Sequence, residues 1–187
     1  MRRFIISFIS IILLYVLQST IFGTYLSIAG IIPNLVLMFS CIVGFMRGKR
    51  SGMFTGFFGG MLVDIMNGGI IGITPLIYLF IGYFNGLFYK EYSKEHLLLP
   101  IGLVALSDFA YGFAYYFFNF LFRNRLDFGF YITRIIIPEV VYTVIVTIFA
   151  YILVYFINRQ LDYFDRKRTA RNVRNDSWFL KRNRFWL

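Results

Sequence analysis

Three carboxylates stand inside otherwise apolar sequence, Asp64, Asp108 and Glu139, and one cation, Arg134, lies five residues before the last of them. Such groups can relay protons, line a substrate path or hydrogen-bond one helix to another. A relay is poorly served here. Each acid sits on a different segment, no Lys accompanies them, and the single histidine, His96, falls in a charged loop. Cys41 is the one cysteine and lies in an apolar run, so it makes no internal disulfide and by itself no metal site. There is no G-x-S-x-G, no H-E-x-x-H and no Cys/His cluster, and Gly56-Phe57-Phe58-Gly59-Gly60 lacks the lysine of a phosphate loop. The chain reads as a non-enzyme without cofactor or metal, and its buried polar residues Asp108, Asn119, Arg134 and Glu139 read as interhelical hydrogen-bonding groups.

Composition supplies the surroundings. Of 187 residues, 59% are hydrophobic and 21% aromatic, with mean hydropathy +0.69. Soluble domains average about 45–50% apolar, so the sequence predicts an all-α polytopic membrane protein. Six apolar segments emerge: Phe4 to Phe22, Pro33 to Met46, Gly52 to Met66, Ile70 to Tyr89, Leu97 to Phe122 and Ile132 to Ile157. A crossing needs about 20 residues, and the second and third fall short. They are expected to span by tilting little and borrowing flanking residues, the alternative being a paired hairpin that dips in with the support of its neighbours. Alternating the six spans places sixteen of the nineteen Lys and Arg on one side, which the positive-inside rule makes the cytoplasm. Both termini then lie inside, and the first segment is an uncleaved helix, too long for a signal h-region and followed by no A-x-A site.

Spacing within these segments is informative. Gly52, Gly56, Gly60 and Asp64 recur every four residues, forming one helix ridge against which another backbone can press. Gly69 and Gly72 follow in a second glycine cluster. Tyr78, Gly82, Asn85 and Tyr89 share one face of the fourth helix, Asp108, Gly112, Tyr115 and Asn119 one face of the fifth, and Glu139, Thr143 and Thr147 a ridge of the sixth. Polar faces are penalised in lipid, so these should face each other or a partner helix. The acids need either a partner or a proton. Arg134, near the outer interface, is expected to reach Glu139 or Asp64.

The sequence divides into a membrane domain over residues 1–158 and a cytoplasmic tail over 159–187. The tail interleaves Arg166, Lys167, Arg168, Lys181, Arg182 and Arg184 with aromatics that include Trp178 and Trp186. That mixture suits the anionic inner leaflet, where each cation contributes about 1 kcal/mol, or an acidic partner face. Nothing in it resembles a nucleic-acid-binding fold.

Several features together resemble the rod shape-determining protein MreD family: the Pro33-Asn34-Leu35 entry to the second span, the basic Arg47 to Arg50 turn, the glycine run from Gly52 to Asp64, and the closing Asn67-Gly68-Gly69 with Gly72. The resemblance implies a bacterial inner-membrane component of the cell-wall elongation machinery. It would be a scaffold that works with MreC, MreB, the polymerase RodA and a penicillin-binding transpeptidase, and to which no reaction is attributed. It also implies an architecture similar to the S components of energy-coupling-factor vitamin transporters. In that alternative the chain would be a substrate-binding S component, with Asp64, Asp108, Glu139 and the tyrosines lining a pocket. The first segment, however, lacks the Ala-x3-Ala by which such components dock. A small proton-coupled transporter is a third reading, but there is no internal repeat to support it.

Overall fold

The computed structural model describes residues 2–27, 30–68, 71–91, 98–123, 128–152, 154 and 156. Residues 1–149 form one unit and 150–187 another, and only helical residues of the second are described. Helix α1 (Arg2–Leu17) runs on into a π-helical stretch, Gln18–Tyr25. It is followed by α2 (Leu35–Arg47), α3 (Lys49–Asn67), α4 (Ile73–Leu87) with a 3₁₀ turn at Phe88–Glu91, and α5 (Leu98–Arg123). Helix α6 begins at Phe128–Tyr131, passes through a π-helical turn at Ile132–Ile136 and continues over residues 137–152. The described residues contain no strand, as expected of an all-α chain.

Among the described residues, three stretches of 21 residues are long and apolar enough to cross a membrane: Ile5–Tyr25, Leu98–Phe118 and Ile132–Ile152. The other helices are shorter or more glycine-rich. Helix α2 has only 13 residues, and every one from Leu35 to Met46 is buried. It is apolar all round because it is surrounded, touching α1, α3, α4 and α5. At about 1.5 Å per residue it extends only ~20 Å. A helix enclosed by others need not match the thickness of the lipid.

The N-terminal amides of α2 are satisfied by side chains. Gln18 Oε1 accepts from Leu35 N–H at 2.9 Å and Val36 N–H at 3.3 Å, and Asn34 Oδ1 accepts from Leu37 N–H at 3.3 Å. At the other end the expected basic turn shrinks to one residue. Gly48, at φ 89°, reverses the chain alone, so Lys49 and Arg50 already belong to α3. The third helix is therefore 19 residues long, longer than the span read from hydropathy, which stopped at its charged first turn.

The π-helical turn of α6 has a local cause. Proline clashes with the carbonyl four residues before it and offers no N–H to that carbonyl. Pro138 follows the turn directly, and Ile137 N–H bonds to Ile132 O, which widens the helix where the ring must fit.

Candidate functional site

The glycine ridge of α3 lies against α4 in antiparallel register. A Cβ on Gly52 would collide with the Gly82 carbonyl, one on Gly56 with the Tyr78 carbonyl, and one on Gly60 would come within 2.6 Å of Pro75 Cα. The α4 side is also bare, since a Cβ on Gly82 would strike Gly52 O and one on Gly86 would strike Lys49 Cα. Helix α2 joins at the same level: a Cβ on Gly44 would sit 2.8 Å from Gly82 O and 3.4 Å from Gly52 Cα. Three backbones thus meet at Gly44, Gly52 and Gly82. Interfaces of this kind rest on van der Waals contact and weak Cα–H···O bonds, because lipid supplies no hydrophobic force between helices. The ridge is a packing surface filled by this chain's own α4, which leaves no groove there for a partner helix.

Asp64, at the end of the ridge, is 5% exposed, and its Oδ2 accepts from Gly72 N–H at 2.8 Å. Its partner is a backbone amide of the α3–α4 turn rather than Arg134. Gly72 is the N-cap of α4 at φ 113°, a conformation that disfavours any side chain, and a Cβ there would meet nothing within 4 Å. Its role is therefore conformational and not one of packing. Gly69 lies outside the described residues. Removing one partner of a buried hydrogen bond costs about 1–3 kcal/mol, so Asp64→Leu should speed exchange of the Gly72 amide about tenfold, while Asp64→Asn, which keeps an acceptor, should change it far less. Hydrogen exchange read by mass spectrometry on the peptide spanning this turn checks both.

Asn34 is the hub of the buried polar residues. Its side-chain oxygen accepts from Tyr78 hydroxyl at 2.7 Å as well as from Leu37 N–H, and its backbone N–H donates to Thr143 Oγ1 at 3.1 Å. Helices α2, α4 and α6 are joined through this one residue. Asn85 donates to Ser107 Oγ at 2.8 Å, tying α4 to α5. Asp108 is 2% exposed and lies beside Thr143 and Asn34, although neither carboxyl oxygen attains hydrogen-bond geometry among the described residues. Thr143 and Thr147 are fully buried, and Gly112 packs its bare face on Ile136, where a Cβ would come to 3.0 Å. The polar faces of α4, α5 and α6 do turn inward, with two differences: Tyr89 is exposed, and the side chain of Asn119 lies outside the described residues.

Above this network is a cavity of about 470 Å³, lined by Gln18, Asn34, Tyr78, Tyr111, Arg134 and Glu139 among others. Tyr78 and Tyr111 meet edge to face at 5.1 Å on its wall. Arg134, expected to be buried, is exposed, and Glu139 is half-buried. The two face the same cavity without pairing. The tail residues Arg166, Lys167, Arg168, Trp178, Lys181, Arg182, Arg184 and Trp186 lie outside the described residues. Sequence reasoning missed Gln18 and the hub role of Asn34. The signal for Asn34 was its place between Pro33 and a long apolar run, a helix N-cap position.

Helices of membrane-crossing length, a core joined backbone to backbone at glycines, and polar residues gathered inward define an all-helical membrane protein. The family model of the rod shape-determining protein MreD matches residues 1–161. The chain therefore belongs to the MreD family, whose role is in the determination of rod shape. No curated protein and no solved structure matches it.

Proposed function

We propose that this chain is a non-enzymatic scaffold of the bacterial cell-wall elongation machinery, held in the inner membrane and regulating peptidoglycan synthesis through helix contacts with MreC and the wall synthases. The observation that carries the reading is the family match over residues 1–161. On this reading residues 1–158 cross the membrane six times with both termini in the cytoplasm, a topology supported by the sixteen basic residues that it gathers on that side. The basic aromatic tail from 159 to 187 lies on the anionic inner leaflet. Since α4 fills the glycine ridge, partner contacts fall to the outward faces of the helices, and Gly52, Gly56 and Gly60 act on partners only by fixing the shape of the bundle. MreB, RodA and an elongation penicillin-binding protein belong to the same assembly.

The cavity gives one reason to keep a second reading, a substrate-binding S component of a vitamin transporter. A single experiment separates the two. The protein, tagged at its C-terminus and purified gently from native membranes, should carry MreC, RodA or the transpeptidase when its companions are identified by mass spectrometry. Recovery of a transport membrane subunit with paired ATPases, or of a bound vitamin, would replace the scaffold by the transporter.

A further inference from the structure

The cavity beside Asn34 is lined by an arginine and a glutamate that do not pair with one another. Among the described residues neither Arg134 nor Glu139 has a hydrogen-bond or ion-pair partner, yet both line the same space. Regular α-helical geometry would keep them apart, because residues five positions distant are separated by about 140° around the axis. The π-helical turn at Ile132–Ile136 reduces that separation. A bond from N–H to the carbonyl five residues back, here Ile137 N–H to Ile132 O, under-winds the helix, and Arg134 and Glu139 both line the cavity. A second π-helical stretch, Gln18–Tyr25, brings Gln18 to the same cavity. Turns of this type recur at functional sites.

We propose that this cavity binds a small zwitterion, its anionic group on the guanidinium of Arg134 and its ammonium on the carboxylate of Glu139. The volume, about 470 Å³, lies in the range of small-ligand sites, about 300–1,000 Å³. Arg134 is exposed and Glu139 half-buried, so an arriving ligand meets the cation first and inserts its ammonium end more deeply. The rings of Tyr78 and Tyr111 flank the space and favour an ammonium over a second anion. A ligand bearing both charges compensates two side chains that are otherwise expensive near lipid. A phosphoethanolamine lipid headgroup and a free amino acid or short peptide share this chemistry.

The test uses the purified full-length protein, stripped of lipid in a neutral detergent and titrated in native mass spectrometry with phosphatidylethanolamine, phosphatidylglycerol and glycylglycine. At least one zwitterion should bind saturably with 1:1 stoichiometry. Charge-assisted hydrogen bonds are strong enough for a preference over phosphatidylglycerol of at least tenfold. Glu139→Gln should bring the zwitterion and phosphatidylglycerol to parity, and Arg134→Gln should weaken both, each variant melting like the unmodified protein. Binding of phosphatidylethanolamine alone identifies a headgroup site; binding of glycylglycine, or its displacement of the lipid, identifies a solute site. Parity of phosphatidylethanolamine and phosphatidylglycerol on the unmodified protein with no uptake of glycylglycine overturns the proposal, as does zwitterion binding that survives both substitutions.

Discussion

Gly56→Ala is expected to destabilise the folded protein by about 3 kcal/mol or more, at the upper end of the usual cost of overpacking. The added methyl would fall on the Tyr78 carbonyl. Backbone cannot rotate away as a side chain can, so α3 and α4 must separate along the whole register from Lys49 to Gly86. Gly52→Ala should be comparably severe, because its Cβ meets α4 at Gly82 O and α2 at Gly44 Cα. Gly102→Ala on α5 is the control, since nothing lies within 4 Å of its Cβ position. Removing a helix glycine there should be neutral or stabilising by up to about 1 kcal/mol. Thermal unfolding of the three variants in detergent, followed by the loss of the monodisperse peak on size exclusion, checks the ordering. Equal melting of Gly56→Ala and Gly102→Ala would show that the two helices are not in contact at this register.

The second large effect belongs to Asn34→Leu, expected to cost about 2–4 kcal/mol. Loss of an N-cap accounts for about 1 kcal/mol, and stranding the buried Tyr78 hydroxyl for a further 1–3 kcal/mol. Tyr78→Phe should cost less, because Asn34 Oδ1 keeps its bond from Leu37 N–H. In the double variant the hydroxyl is already absent, so the combined loss should fall short of the sum by about 1 kcal/mol, the scale of coupling between residues in contact. Chemical denaturation of all four proteins measures the difference. Strict additivity would mean that the bond between Tyr78 and Asn34 contributes nothing.

These two cases mark what was legible in the sequence. The ridge of Gly52, Gly56 and Gly60 depends on nothing but a spacing of four within one helix, which the sequence displays directly. Its occupant was not legible, because a glycine groove packs by the same chemistry against a helix of its own chain or of another. The complement on α4, Tyr78, Gly82 and Gly86, also recurs every four residues, but the spacing alone does not say that these two ridges face one another. Asp64 was assigned a charged partner because an acid in lipid calls for one, but the nearest unsatisfied donor was the backbone at the start of the next helix. Asn34 could be read as a cap, yet its bond to Thr143 spans 109 positions and leaves no local trace. Arg134 is expected to reach Glu139 or Asp64 because an acid in an apolar segment calls for a cation, but its side chain is exposed and pairs with neither.

Enclosure of α2 has a bearing on how the protein is made. A helix of 13 residues emerging from the ribosome after α1 is too short to be held firmly by lipid, and it carries Asn34 at its leading end with the future partners Tyr78 and Thr143 not yet synthesised. Gly48 alone separates it from α3, so the two cannot be released into the membrane one at a time. They must enter as a folded hairpin and be sheltered until α4 arrives to close the glycine contact. Variants that weaken the Gly44, Gly52 and Gly82 junction are therefore expected to be depleted during biogenesis, before any mature protein has the chance to unfold.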